Sequence, residues 1–525
     1  MVKESVEQFK PVFFFLVLEF GKESIAGYVA DDKYPKRQKT GHKKTTPYSS
    51  ELLKFFFPLL NPHRRNIILV PYLTKKIQFK TMKHIKINAL VAAVALMAAQ
   101  TSILPHGMQA ANPVKVENLK GRETVAVGQT NALRHQLWSQ WKSKLRSEAT
   151  QCLISTSTLD TTHVGRLYLP DSLEANAVMP YYWGTKGQLA QGRNVSLPTF
   201  VYIHGSGPKA QEWAAGISWC KIFSDAPSRY FIPQIPNEGE YYRWWQRAKQ
   251  WAWKWLWDQL MLDDTTDPNR IYLFGISEGA YGSQRLASFY ADYLAAVGPM
   301  AGGEPLENCP PENIGNIRFS LLTGEKDFMF GRNLLTKHVS NVLDSLQNKY
   351  PGEYAHRVQL IPNMGHGIDY RPTTPWLQQF RRNPWPSHFI WEDYEMDGIH
   401  RNGFYNLRVD KRPSDSLRTR YDVSIANNRV DIQARNVKYI SALKEPNWGI
   451  TVKWEKQYEP TDDATLTVFL NEHLVDLSKR VTVTLNGKEV FCGKLRLTKE
   501  AMMESLNTYR DPLRIFPAAV RILPR

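Results

Sequence analysis

From about residue 199 the chain alternates short apolar runs with helix-length segments, and this rhythm constrains the fold more than any other feature. The runs at 199–203, 230–235, 270–274, 295–300, 317–322 and 358–361 are each the length of one strand. They are nearly continuous in apolar character, as in strands covered on both faces. Strands of this kind separated by helices predict an α/β fold with a mostly parallel, doubly wound sheet. Two further strand-like runs, 164–169 and 178–183, and a helical segment near 133–145 lead into it.

The texture changes at about Arg412, after which β-type alternation dominates and no long helical pattern returns until Thr498. Within it, VTVTLNGKEVFCGKL reads as a hairpin. Strands 481–485 and 488–494 flank Asn486 and Gly487, which supply the positive-φ turn. The expected organisation is therefore a catalytic domain over 111–411 and a β-sandwich-like domain over 412–525.

At Met82 a basic MKHIKIN runs into ALVAAVALMAA, the layout of a secretory leader over 82–110 with a small-residue cleavage site near Ala110 or Ala111. The apolar run is shorter than the roughly 20 residues that span a bilayer, and no cysteine follows it, so no stable membrane anchor is expected. A leader cannot act from mid-chain, so residues 1–81 read as an extension from a misassigned start, and the mature protein as secreted or periplasmic in a bacterium. Residues 1–81 hold 15 Lys and Arg against 7 Asp and Glu, and Lys83 and Lys86 lie in the leader. Of the net charge of +17, +7 then remains, without a basic stripe, and no nucleic-acid partner is inferred. Cys152, Cys220, Cys309 and Cys492 have no metal-ligand spacing, and the reading leaves open whether they pair or stay free.

Within RIYLFGISEGAYG, the run Gly275, Ile276, Ser277, Glu278, Gly279 is a G-x-S-x-G directly after a strand and before a helix. A nucleophile elbow needs that context: a tight turn flanked by residues without a Cβ lifts the serine oxygen above the sheet. Upstream, TFVYIHGSGP ends a strand in a small-residue turn. The N–H groups of Ser206 or Gly207, with that of Glu278, are the expected oxyanion donors. His204 reads as a support of that loop. Downstream, SLLTGEKDF offers Asp327, preferred over Glu325, and LIPNMGHGI places His366 in a Gly-flanked loop after the last core strand. A serine hydroxyl needs a neutral imidazole to take its proton and a carboxylate to orient that imidazole, so Ser277, His366 and Asp327 form the candidate triad. Asp369 is set aside as too near His366 in sequence to reach its far nitrogen.

At these residues the chain resembles the α/β-hydrolase superfamily, specifically the secreted esterase-like branch near feruloyl esterases, polyhydroxybutyrate depolymerases and dienelactone hydrolases. The resemblance covers about residues 175–410. DPNRIYLFGISEGAYG, AAVGPMAGG, TGEKDFMFGRN, MGHGID and NPWPSHFIWE look like successive blocks of a bacterial group of hydrolases that also carry a β-rich C-terminal domain. It implies the same three residues in the same roles and is silent on substrate; the expected chemistry is acyl transfer from a carboxylic ester, with no metal or cofactor called for. The ester could be a small molecule or a polymer, with carbohydrate-linked or phenolic acyl groups among the choices. One departure stands out: Glu278 follows the serine where many relatives have a small residue, and a carboxylate there would disfavour anionic substrates.

YYRWWQRAKQWAWKWLWDQL places six tryptophans in a helix expected before the elbow strand. At about 100° per residue, Trp244, Trp251 and Trp255 share one face while Trp253 and Trp257 lie nearly opposite. Two apolar faces need two partners, which favours a clamped core helix. The sharper alternative makes Trp253 and Trp257, or Tyr241 and Tyr242, an aromatic platform for a sugar or phenolic acyl group. Two rival functions remain open: a serine peptidase of the prolyl-oligopeptidase type, and a non-catalytic glycan-binding protein on the same scaffold. The C-terminal domain reads as a structural cap, since its strands show no surface aromatic stripe.

Overall fold

The computed structural model describes residues 116–118, 123–154, 157–188, 196–414 and 417–524. The expected extension over 1–81 and the leader over 82–110 lie outside the described residues. The strands before the second domain are β1 (Val116–Asn118), β2 (Ser157–Thr158), β3 (Val164–Tyr168), β4 (Val178–Lys186), β5 (Leu197–Ile203), β6 (Ser228–Pro233), β7 (Thr266–Ile276), β8 (Ala296–Met300), β9 (Arg318–Gly324) and β10 (His356–Ile361). All but β1 form one nine-stranded sheet in the order β10-β9-β8-β7-β5-β6-β4-β2, with β3 paired to β4. The six strands from β5 to β10 run parallel, and β4 lies antiparallel to both β6 and β3. This order, with β5 and β6 exchanged and β4 reversed, is that of an α/β-hydrolase sheet.

Alternation along the buried strands splits the core between the two faces. On β5 and β7, Val201, Ile203, Ile271 and Leu273 enter one apolar cluster, while Phe200, Tyr202, Tyr272 and Phe274 enter the other. The described helices are α1 (Thr130–Glu148), α2 (Lys209–Ile222), α3 (Arg247–Leu262), α4 (Glu278–Tyr290), α5 (Arg332–Lys349), α6 (Thr373–Leu377) and α7 (Lys499–Tyr509). Helices α3, α4 and α5 cover the first face through Leu256, Leu286 and Leu343; α2 and α6 cover the second through Ile217 and Leu377. Among the described residues, no helix is long and apolar enough to cross a membrane.

The second domain comprises β11 (His388–Asp393), β12 (Gly403–Phe404), β13 (Leu407–Lys411), β14 (Arg418–Ala426), β15 (Arg429–Lys444), β16 (Thr451–Pro460), β17 (Thr465–Leu470), β18 (Arg480–Leu485), β19 (Lys488–Lys494) and β20 (Ala518–Ile522). One sheet runs β1-β20-β17-β13-β12 and the other β11-β14-β15-β18-β19, with β16 paired to β15. Trp391 of the second sheet stacks on Phe404 of the first at 5.6 Å between ring centroids, and their inward residues share one core. The hairpin turn takes the expected form, with Asn486 at φ 49° and Gly487 at φ 80°. Thr498 caps α7, its side chain accepting from Ala501 N at 3.1 Å.

The expected boundary at 412 is corrected. Strand β11 already pairs with β14, β12 and β13 belong to the other sheet, and β1 adds to its far edge against β20. Strand partners far apart in sequence decide membership, and a change in local texture marks only where helices stop. A buried ionic cluster joins the two domains. Asp292, after α4, accepts from Arg401 and Arg514, while Asp511 accepts from Arg382 and Arg514 at 2.8 Å each. Burial alone would raise both carboxyls, but the guanidiniums outweigh it and hold both below the ordinary range. All four cysteines are unpaired, Cys220 and Cys309 buried and Cys152 and Cys492 exposed.

Candidate active site

Strand β7 ends at Ile276 and α4 begins at Glu278, leaving Ser277 alone in the turn with φ 55° and ψ −112°. A side chain at positive φ is strained, and the surrounding backbone imposes the conformation. The Ser277 N–H donates to Met300 O at 3.0 Å. A Cβ on Gly275 would stand 2.5 Å from Gly279 O, and one on Gly279 would stand 2.0 Å from Ile203 O. Both glycines are therefore required by contact, and the turn presents the serine at the carboxyl ends of the parallel strands, where this class of sheet binds ligands.

Asp327 follows β9 and His366 follows β10, so adjacent strands deliver both to the same edge. His366 Nε2 lies 3.0 Å from Ser277 Oγ, and its Nδ1 lies 2.8 Å from Asp327 Oδ2. In the neutral imidazole, Nδ1–H donates to the carboxylate and Nε2 accepts from the hydroxyl. The three residues expected from sequence thus meet in the order a serine nucleophile requires. Asp327 Oδ1 accepts from Arg332 Nη1 at 3.0 Å. Burial would raise the Asp327 carboxyl, but the His366 hydrogen bond and the Arg332 charge outweigh it and hold it below the ordinary carboxylate range. Arg332, fully buried, also donates from Nε to Tyr281 Oη at 2.5 Å. Sequence reasoning assigned Arg332 no role, although it lies five residues after Asp327 in the quoted block. Glu325 instead accepts from Asn363 N at 2.9 Å, and Asp369 is taken up by Arg371 at the surface.

The oxyanion loop shows one correction. Gly207 N–H, an expected donor, points to Glu212 Oε1 at 3.2 Å and is occupied. Ser206 N–H has no acceptor among the described residues. Glu278 N–H heads α4, where no preceding turn can accept from it. His204 supports the loop, as expected: its Nε2 accepts from Ile235 N at 3.0 Å and its Nδ1 lies 2.7 Å from Gly205 O. Burial pulls its pKa down to about 4 and keeps the ring neutral. Glu278 is buried with Oε1 3.4 Å from Arg243 Nη1, and burial pushes its carboxyl up against the opposing pull of Arg243.

The aromatic platform is also corrected. Trp253 and Trp257 are 0% and 2% exposed, and no ligand can stack on them. Trp253 donates from Nε1 to Trp244 O at 2.8 Å, and Trp257 packs on Tyr290 and Tyr293. Trp244 precedes α3, which starts at Arg247, so it belongs to no helical face. The clamped-helix expectation agrees with the contacts: half-buried Trp255 lies against Tyr181 of β4 and Phe231 of β6, 6.0 and 6.5 Å between ring centroids, and donates to Gln151 O at 2.9 Å, while Trp257 on the other face meets Tyr290 and Tyr293. Tyr242 is buried, its hydroxyl 2.8 Å from both Gly205 O and Gly207 O. Only Tyr241 of the four is exposed, with Lys249 against its ring.

No protein-family model matches the chain. Among curated proteins, it is similar to a poly(3-hydroxyalkanoate) depolymerase C of Paucimonas lemoignei, 25% identical over 122 residues. That stretch is 21% of this chain and spans 29% of the relative's length. Among solved structures, a thermostable esterase aligns at 20% identity with a TM-score of 0.32, covering 42% of this chain and 63% of that one. A CE1 ferulic acid esterase of Anaeromyces mucronatus aligns at 14% identity with a TM-score of 0.31, covering 44% and 92%. By the order of its sheet and the elbow at Ser277 the chain has the α/β-hydrolase fold, and its match to the depolymerase makes it similar to the esterase-like branch of that fold.

Proposed function

We propose that the chain is an exported serine hydrolase that cleaves carboxylic esters by acyl transfer. The observation that carries this reading is His366, 3.0 Å from Ser277 Oγ on one nitrogen and 2.8 Å from Asp327 on the other. Ser277 Oγ attacks the ester carbonyl as His366 Nε2 takes its proton. Asp327 keeps the ring oriented and offsets the imidazolium charge. The negative charge moves onto the carbonyl oxygen, where the N–H groups of Glu278 and Ser206 stabilise it. Collapse expels the alcohol, protonated by His366. Water, activated by the same imidazole, then releases the acid and restores Ser277. The depolymerase match supports a polymeric or hydroxyacyl ester, and the leader-like stretch at Met82 supports export.

Hydrolysis of a p-nitrophenyl acyl series by wild type and Ser277→Ala tests the reading, together with fluorophosphonate labelling. Wild type turns over and labels on Ser277, and the variant loses at least about a thousandfold in kcat. Equal rates for the two proteins would end the catalytic reading and leave the glycan-binding one. Preference for a peptidyl amide over the aryl ester would replace esterase with peptidase.

A further inference from the structure

The loop from His204 to Gly207 is tied from two sides in opposite senses. Its carbonyls face the core: Gly205 O accepts from His204 Nδ1–H at 2.7 Å, and Tyr242 Oη lies 2.8 Å from both Gly205 O and Gly207 O. His204 must carry its proton on Nδ1, because Nε2 already accepts from Ile235 N–H at 3.0 Å. On the other side, the Glu212 carboxylate reaches back from the first turn of α2 to the Gly207 N–H at 3.2 Å. Its second oxygen stands 2.9 Å from where a Cβ on Gly205 would be.

A planar trans peptide links the two ties. The Gly205 carbonyl and the Ser206 N–H belong to one peptide unit and point in opposite directions. Holding that carbonyl toward Tyr242 and His204 turns the Ser206 N–H the other way. The nucleophile lies against the same loop: a Cβ on Gly205 would come within 3.5 Å of Ser277 Cβ. Trp244 secures the base of the loop, its Nε1 donating to His204 O at 3.0 Å.

We propose that Tyr242 and Glu212 are positioning residues that aim the Ser206 N–H at the carbonyl oxygen of the substrate, Tyr242 by holding the Gly205 and Gly207 carbonyls and Glu212 by engaging the Gly207 N–H. The proposal rests on the acyl-transfer reading of Ser277. Neither residue touches the reacting atoms. Each acts through the orientation of one peptide plane, whose donor is worth something only once charge has moved onto the substrate oxygen.

The test compares wild type with Tyr242→Phe, which keeps the buried ring, and with Glu212→Gln, which keeps an acceptor oxygen, against Glu212→Ala. Steady-state kinetics on a p-nitrophenyl ester are paired with inhibition by an alkyl trifluoromethyl ketone, whose hemiketal oxyanion occupies the hole. Tyr242→Phe is expected to lower kcat by about tenfold to a hundredfold with KM within about twofold. Ketone affinity falls by a similar factor. Glu212→Ala does the same, and Glu212→Gln restores most of the loss. A rise in KM at unchanged kcat, or a kcat loss without weaker ketone binding, would overturn the proposal, as would unchanged kinetics in Tyr242→Phe. If Tyr242→Phe fails to fold, the contrast between Glu212→Ala and Glu212→Gln decides. Ser277→Ala separates the two levels: activity independent of Ser277 removes the acyl-transfer reading itself, whereas Ser277-dependent activity indifferent to Tyr242 and Glu212 removes this inference alone.

Discussion

Arg332 and Asp327 form a buried pair, Nη1 to Oδ1 at 3.0 Å, and the other oxygen of the same carboxylate accepts from the His366 imidazole at 2.8 Å. One guanidinium thus holds the carboxylate that hydrogen-bonds His366 and, together with His366 itself, keeps it below the ordinary carboxylate range. It is itself held by Tyr281 from α4, the helix that begins beside the nucleophile.

Arg332→Met is expected to lower kcat more than it changes KM, by about tenfold to a hundredfold, because the imidazole loses its fixed orientation in the transition state. The sign of the pH effect follows from the depressed Asp327 carboxyl. A carboxylate held below its unfolded value contributes stability above that value and loses it as pH falls through the folded one. Without Arg332 the folded value rises, so acid unfolding of the variant sets in at higher pH than in wild type. Thermal midpoints between pH 3 and 6 check this, and an unchanged acid limb would refute it.

Trp253→Ala tests the core assignment of α3. Removing an indole that is fully buried against Trp244 costs about 3–5 kcal/mol of stability. Relative rates across an acyl series are expected to stay unchanged, since the ring faces no substrate. A shift in acyl preference at preserved stability would return the aromatic platform to consideration.

His388 sits between two carboxylates, Nδ1 2.7 Å from Glu353 and Nε2 3.0 Å from Asp422. Burial opposes its charge, but the two carboxylates outweigh burial and raise its pKa to about 9. A histidine raised in this way adds stability that is complete below its unfolded value of about 6.5 and is lost as pH rises through the folded value. His388→Gln is expected to cost about 2 kcal/mol at pH 6 and progressively less toward pH 10. Urea unfolding at the two pH values measures the difference, and an equal penalty at both would contradict the assignment.

Much of the fold was legible because it is written in local periodicity. The runs read at 199–203 and 358–361 fall within strands buried on both faces or backed by helices, and Asn486-Gly487 encodes its turn through two residues that tolerate positive φ. The site was legible for a related reason: parallel strands deliver their following loops to one edge, so Ser277, Asp327 and His366 after three such strands had to converge. The second domain was placed too late because β1 and β11 join it through partners about 400 and 30 residues away, which no local pattern announces.

The sequence by itself determined the class of sheet, the elbow that strains Ser277 and the chain order of the three polar residues, since each depends on neighbours within a few positions. Only the tertiary structure decided that Glu212 takes up the Gly207 N–H of the His204–Gly207 loop, that Arg332 pairs with Asp327, and that Trp253 and Trp257 are core. Those outcomes depend on which groups from distant segments arrive within about 3 Å of one another, because hydrogen bonds and van der Waals contacts act only at that range.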